Sequence, residues 1–337
     1  MAVKPRGRID VCNPPQLGPR SRRRARAAQR CGRERARRRL RAGGPAAFAE
    51  LPSGAAGGDA RILVGPMHPP APDTASLDLD AYLARIGYRG ALAATREVLD
   101  ALHTAHAYSI PFENLDVLLG RPIRIDLAGV QEKLVNARRG GYCFEQNTLF
   151  VAALRRIGFK VTTLIARVRF HRSDIGPRTH MLSLIELPEG PFIADVGFGG
   201  PGLTQPIRLV EGESQAQAHD VVGLRREGDA WVLESRGREP WQDLYAFTLE
   251  EQFPVDYEVA NHYTSTHPDS LFVSNVLAAI SSPEARVTLR NRQLGVLRGG
   301  QVQWFELGDD ELLDVLKTRF GLELPAGARL SCAGLNG

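Results

Sequence analysis

The stretch Arg139-Gly140-Gly141-Tyr142-Cys143-Phe144-Glu145-Gln146-Asn147 sets the frame for everything around it. Two glycines precede a cysteine, and the cysteine opens a run that carries Phe150, Val151, Leu154 and Ile157 at helical spacing. Glycines let the backbone turn sharply and leave room for a substrate to approach. A thiol at a helix N-terminus sits in the positive end of the helix dipole, which favours thiolate. Thiolate is the attacking species when cysteine acts as a nucleophile. An inert buried cysteine is the competing reading, so the stretch needs partners elsewhere in the chain.

Working outward toward the N-terminus, the pattern is helical from Leu77 to Gly158. Asp78 is placed to cap a short helix carrying Leu79, Tyr82, Leu83 and Ile86. A second helix is predicted near Thr95 to Ala107, with Val98, Leu99, Leu102 and Ala105 on one face. Ile110-Pro111 ends it, because a residue before proline avoids the α region. A third helix covers about Leu127 to Ala137, and Gly158 stops the fourth, which Cys143 opens.

Toward the C-terminus the texture changes to short strands, at 161–170, 180–187, 192–198, 220–226 and 230–235. Pro188-Glu189-Gly190-Pro191 is a hairpin turn between two of them. Short strands at close spacing predict an antiparallel barrel or sandwich. Beyond Phe247 come a helix around Val255 to Tyr263, strands near Asn275 and Arg286, and a last helix from Asp309 to Phe320. The divisions expected are 1–66, 77–160, 161–250, 251–325 and a tail, 326–337.

The net charge of +5 divides unevenly, since residues 1–66 hold 16 Lys and Arg against 4 Asp and Glu. The remainder is anionic, so the basic balance belongs to the leader and any nucleic-acid role would rest on it alone. Arg20 to Arg41 is arginine-rich with few apolar residues and is expected to be disordered by itself. It reads either as a tail for nucleic acid or a membrane surface, or as a coding start assigned upstream of a true start at Met67, which is the reading preferred. No apolar run is long enough to span a membrane and no secretory signal opens the chain, so a cytoplasmic enzyme is expected. The four cysteines, Cys12, Cys31, Cys143 and Cys332, form no C-x-x-C pair, and neither a metal site nor a disulfide framework is expected.

A cysteine nucleophile needs a base. Of eight histidines, His103 and His106 fall on the second helix, whereas His180 begins a strand just after a polar loop and can project into a cleft. Asp195 lies inside an otherwise apolar strand, where a carboxylate is costly unless paired. His180 is its natural partner, since the carboxylate would accept the ring N–H and fix the tautomer; local backbone amides are the alternative. A tight hairpin centred between Glu189 and Gly190 would set Asp195 opposite Leu184, four residues or roughly 13 Å along the strand from His180. A bulge or another pairing is then required to join them.

The chain resembles the arylamine N-acetyltransferases over about residues 77 to 325. The resemblance is carried by Ile110-Pro111-Phe112-Glu113-Asn114-Leu115, Arg139 to Glu145, Thr179-His180-Met181-Leu182, and Asp195-Val196-Gly197-Phe198-Gly199-Gly200. Trp241, Leu244-Tyr245, Phe247 and Ser265-Thr266-His267-Pro268 extend it. It implies an α+β fold: an N-terminal helical bundle, a central antiparallel β-barrel and a C-terminal α/β lid, with a cysteine-protease-like Cys-His-Asp arrangement. That triad is carried onto Cys143, His180 and Asp195. Phe198 matches a position that lines the acceptor pocket, with Phe112 and Phe144 nearby; plain core packing is the alternative for these rings. The leader has no counterpart in the family. The chain stops soon after the last lid helix, so a C-terminal tail that relatives use near the cofactor is expected to be missing.

The resemblance implies ping-pong transfer of acetyl from acetyl-CoA through Cys143 to an aromatic amine or hydrazine, in xenobiotic metabolism and without a metal. Two rivals use the same residues: a cysteine hydrolase or transglutaminase-like enzyme, and a family-related amide-forming acyltransferase of secondary metabolism.

Overall fold

The computed structural model describes residues 77–237, 240–308, 310–325 and 327–335. The basic leader 1–66 and the start proposed at Met67 lie outside the described residues, as do Cys12 and Cys31. The described residues all belong to one unit, His68–Gly337.

Helix α1, Leu79–Ile86, starts where the Asp78 side chain accepts from the Ala81 N–H, 2.9 Å away. Helix α2, Arg96–Ser109, is capped by Thr95 and ends at Ile110, before Pro111. Phe112–Glu113 form strand β1 and Leu115–Leu118 the one-turn helix α3. Helix α4, Leu127–Gln131, runs on into a π-helical segment, Glu132–Asn136. Helix α5, Cys143–Ile157, is the longest of these and stops at Gly158, whose φ of 108° suits glycine. Leu99, Leu102, Leu134, Leu149, Phe150 and Leu154 are fully enclosed in the core these helices share. Ile185, Phe192 and Ala194 from the first strands of the sheet close that core from one side.

The strands 160–168 (β2), 178–187 (β3), 190–194 (β4), 207–208 (β5), 214–216 (β6), 221–227 (β7), 230–236 (β8) and 242–247 (β9) form one antiparallel sheet. Their order is β5-β4-β3-β2-β9-β8-β7-β6. The sheet rolls into a nearly closed barrel around Leu164, Leu182, Ile193, Leu224, Leu233 and Tyr245. Its two end strands are joined by glutamine side chains rather than by a ladder. The Gln217 side-chain oxygen accepts from the Thr204 and Gln205 N–H groups at 2.8 Å each, and the Gln215 amide donates to the Pro206 carbonyl at 3.0 Å.

Beyond the barrel, helix α6, Pro254–Thr266, begins on proline at its first position. The short helix α7, Leu271–Ser274, leads into strands 277–281 (β10), 286–290 (β11), 293–298 (β12) and 301–306 (β13) and helix α8, Glu311–Phe320. The second sheet has the order β1-β10-β11-β12-β13, so Phe112 and Glu113 pair with Ala279 and Ala278 across a long stretch of sequence. Strands β1, β5, β6, β9, β12 and β13 are not among those anticipated from the residue pattern. No helix among the described residues is long and apolar enough to cross a membrane.

Candidate active site

Cys143 is the first residue of helix α5 and only 3% exposed. The turn that presents it is pinned by a buried ionic cluster. Arg139 reaches Glu113 at 2.8 Å and Asp116 at 3.3 Å, and Lys133 reaches Asp116 at 3.0 Å and Glu145 at 2.7 Å. The other Glu145 oxygen accepts from the Tyr142 N–H at 3.0 Å, which caps the helix one residue before the thiol. Burial raises the Glu145 carboxyl to about 7, with Lys133 opposing the rise. These ion pairs tie the Ile110–Leu115 segment to the Arg139–Glu145 segment. Losing one partner would strand a buried charge.

His180 and Asp195 meet without a long detour. The β3–β4 hairpin pairs Leu187 with Gly190 and Ser183 with Ala194, so the turn is Pro188-Glu189. That register is two residues shifted from one centred between Glu189 and Gly190. Continued by one residue, it brings Asp195 level with Leu182, the diagonal neighbour of His180 on the same face. His180 Nε2 lies 2.7 Å from Asp195 Oδ2. A bulge does occur, but on the other side of β3: Ala166 pairs with His180 and Arg167 with Arg178, leaving Thr179 unpaired. The Thr179 carbonyl freed there accepts from the Cys143 Sγ at 3.5 Å.

Asp195 is 1% exposed. Its Oδ1 accepts from the Asn147 side chain at 3.1 Å and from the Gly197 N–H at 2.9 Å. Burial works against the ionised carboxyl, but the His180 ring and these donors outweigh it and hold Asp195 below the usual carboxylate range. For His180, burial disfavours imidazolium. The Asp195 charge and hydrogen bond, with a smaller contribution from Cys143, more than offset it and push the ring above its ordinary range. With Nε2 engaged by Asp195, Nδ1 is the ring nitrogen left for Cys143.

Three further residues belong to this assembly and carry no role in the sequence reading. Asn147 stands one turn after Cys143 on the same face of α5, and it bonds both Asp195 and the Met181 carbonyl, the latter at 2.8 Å. Its spacing from the thiol was the available signal. Tyr245 packs its ring 4.8 Å from that of His180. His103, one of two histidines on the buried face of α2, lies behind Asp195. Gly197 must be glycine, since a Cβ there would come 2.7 Å from the Cys143 Cα.

Of the three phenylalanines singled out, Phe198 is half-buried with its ring 5.2 Å from His180 and 5.3 Å from Tyr245. Phe112, also half-buried, packs on the Gly199 backbone and lines a small cleft with Phe198 and Asp195. Phe144 is fully enclosed between Tyr142 and Tyr257. A larger groove of ≈1010 Å³ runs beside β2 and β9, bordered by Arg167, Arg169, Arg172 and Arg178. Ile165 on its wall packs in the same cluster as Cys143.

A buried thiol at the start of a helix, with a buried imidazole bonded to a carboxylate beside it, is a set of groups suited to acyl transfer, and residues 95–329 match the family model described as N-acetyltransferase. The arylamine N-acetyltransferase of Escherichia coli K12 is 44% identical over 248 residues, covering 72% of this chain and 88% of that protein. The solved arylamine N-acetyltransferase of Mycobacterium smegmatis aligns with a TM-score of 0.73 at 40% identity, covering 76% of this chain and 96% of that one. The Mycobacterium marinum enzyme, solved in complex with CoA, aligns with a TM-score of 0.70 at 39% identity, covering 72% and 92%. The chain belongs to the arylamine N-acetyltransferase family, and it is an enzyme of the acyltransferase class.

Proposed function

We propose that this chain moves acetyl groups from acetyl-CoA to the nitrogen of small arylamines and arylhydrazines, by a ping-pong route through Cys143. The observation that carries the reading is the buried Cys143–His180–Asp195 array at the head of α5. His180 shares the Cys143 proton, and the resulting thiolate attacks the thioester carbonyl. The tetrahedral intermediate expels the CoA thiolate, which takes a proton from His180, and leaves acetyl-Cys143. The amine nitrogen then attacks that acetyl group. His180 accepts the amine proton, and the Cys143 sulfur departs. The Cys143 N–H, at a helix N-terminus, supports the developing oxyanion. The cytoplasm, with its supply of acetyl-CoA, is where we place the reaction.

Phe198 and Phe112 offer the acceptor an aromatic wall beside His180, while the enclosed Phe144 supports the helix. An aniline nitrogen keeps its lone pair free at neutral pH, whereas an alkyl amine with a pKa of about 10.4 is almost fully protonated. With acetyl-CoA fixed and a matched panel of acceptors, release of free CoA should be far faster with anisidines and hydrazides than with alkyl amines or lysine peptides. Faster turnover of polyamines or lysine peptides than of every arylamine would remove the substrate class.

The arginine-bordered groove is our assignment for the donor, because guanidinium groups suit the phosphates of CoA. The solved M. marinum relative with CoA bound supports a CoA donor. Arg178→Ala should raise KM for acetyl-CoA roughly tenfold, as loss of one charge-assisted contact would. The amine KM should stay unchanged. An unaltered acetyl-CoA KM would move the donor elsewhere.

A further inference from the structure

We propose that His103 is a positioning residue of the reaction, holding Asp195 by its main chain; this rests on the triad reading of Cys143, His180 and Asp195. Asp195 follows the last ladder residue of β4, Ala194, so its own N–H is free of the hairpin. That N–H donates instead to His103 Nε2, 3.1 Å away on helix α2. Both residues are buried, His103 completely. Because Nε2 accepts, the ring proton sits on Nδ1 and the imidazole is neutral. Burial enforces this, lowering His103 to about 4.

Asp195 is therefore gripped at three points. His103 holds the main chain, Asn147 and the Gly197 N–H hold Oδ1, and Oδ2 is left for His180. One turn along α2, His106 links helix to helix: its Nδ1 meets the Tyr82 hydroxyl at 2.9 Å and its Nε2 the Gln146 oxygen at 2.7 Å. His103 packs edge-on to Phe150, 5.5 Å between centroids, which fixes its ring plane. Without an acceptor at this position, a buried N–H beside the carboxylate loses its partner. The Asp195 peptide is then held only through its Ala194 carbonyl, which accepts from Ser183 at 3.0 Å, and the looser main chain lets the carboxylate tilt off the His180 ring. A residue that merely filled space would not affect this angle.

The experiment compares His103→Phe, which keeps a ring but no acceptor, with His103→Gln, whose amide oxygen can reach the same N–H. Asp195→Asn runs alongside, all in the full chain. His103→Phe should lower kcat by about 10–100-fold, the range for partners that orient a reacting group. KM for either substrate should change little. Acetylation of Cys143 in a single turnover should slow by the same factor, and His103→Gln should recover most of the loss. Wild-type kcat in folded His103→Phe overturns the proposal, as does equal loss in His103→Gln. If His103→Phe does not fold, the smaller His103→Leu serves with the same two outcomes. Should Asp195→Asn itself keep wild-type kcat, the triad reading fails; should it be slow while His103→Phe is not, only the role of His103 fails.

Discussion

Cys143→Ser should fold as the wild type does, take up no acetyl group from acetyl-CoA, and turn over slower by roughly 10⁴-fold or more, as removal of a nucleophile does elsewhere. The fold is spared because the thiol's contacts, to the Thr179 carbonyl and the His180 ring, are ones a serine hydroxyl can also make, and serine is slightly smaller. The helix start is secured by Glu145 and not by the sulfur. Activity is lost because a hydroxyl in the same place is scarcely ionised and His180 alone cannot make it a comparable nucleophile. Intact mass spectrometry after mixing with acetyl-CoA alone reads the outcome. The wild type should gain one acetyl group, mapped to Cys143, and the variant none. Cys332 offers a built-in control, since it is a free thiol 7% exposed in the core of the second sheet. An acetyl group on Cys332 or on a lysine, or an acetylated Cys143→Ser protein, would overturn the assignment.

Asp195→Asn should cost up to about 10⁴-fold in kcat, the scale seen when a triad carboxylate becomes an amide and the imidazole is held in the wrong tautomer. The pH dependence sharpens the test. In the wild type His180 is raised by Asp195 despite burial, so the ring stays protonated through the neutral range and loses its proton only as pH climbs through that raised value. In the amide variant burial, which lowers an imidazole, is opposed only by the smaller contribution of Cys143. The ring is then neutral across the same range. Alkylation of Cys143 by iodoacetamide should vary little through neutral pH in the wild type. In the variant it should be slower and rise steeply with pH. Matching profiles in the two proteins would leave Asp195 without the role given to it.

Local chemistry made much of this legible. Asp78, Thr95 and Gly158 behave as caps because each satisfies backbone groups of its own neighbours. The glycine pair before Cys143 and a carboxylate among apolar residues are also visible locally, although the expected strand 192–198 stops at Ala194 and leaves Asp195 just beyond it. Strands β12 and β13 were harder. Val302 and Trp304 are among the exposed large apolar residues, so their alternation does not report which face is buried. Phe112-Glu113 form a strand only because β10 supplies the partner, far away in the chain.

By itself the sequence singled out the three residues proposed to carry the chemistry, since a thiol at a helix start, a histidine near a strand end and an aspartate among apolar residues are features that local physics exposes. It also determined the order of helices followed by strands, through the change in apolar period near Gly158. Only the tertiary structure decided how the three meet. A two-residue choice of turn, at Pro188-Glu189, sets the register that brings Asp195 to His180. Turn alternatives that differ by two residues keep every side chain on the same face, so the apolar pattern cannot distinguish them. The choice falls to packing that is remote in sequence: His103 from α2 on the Asp195 N–H, and Asn147 from α5 on its carboxylate.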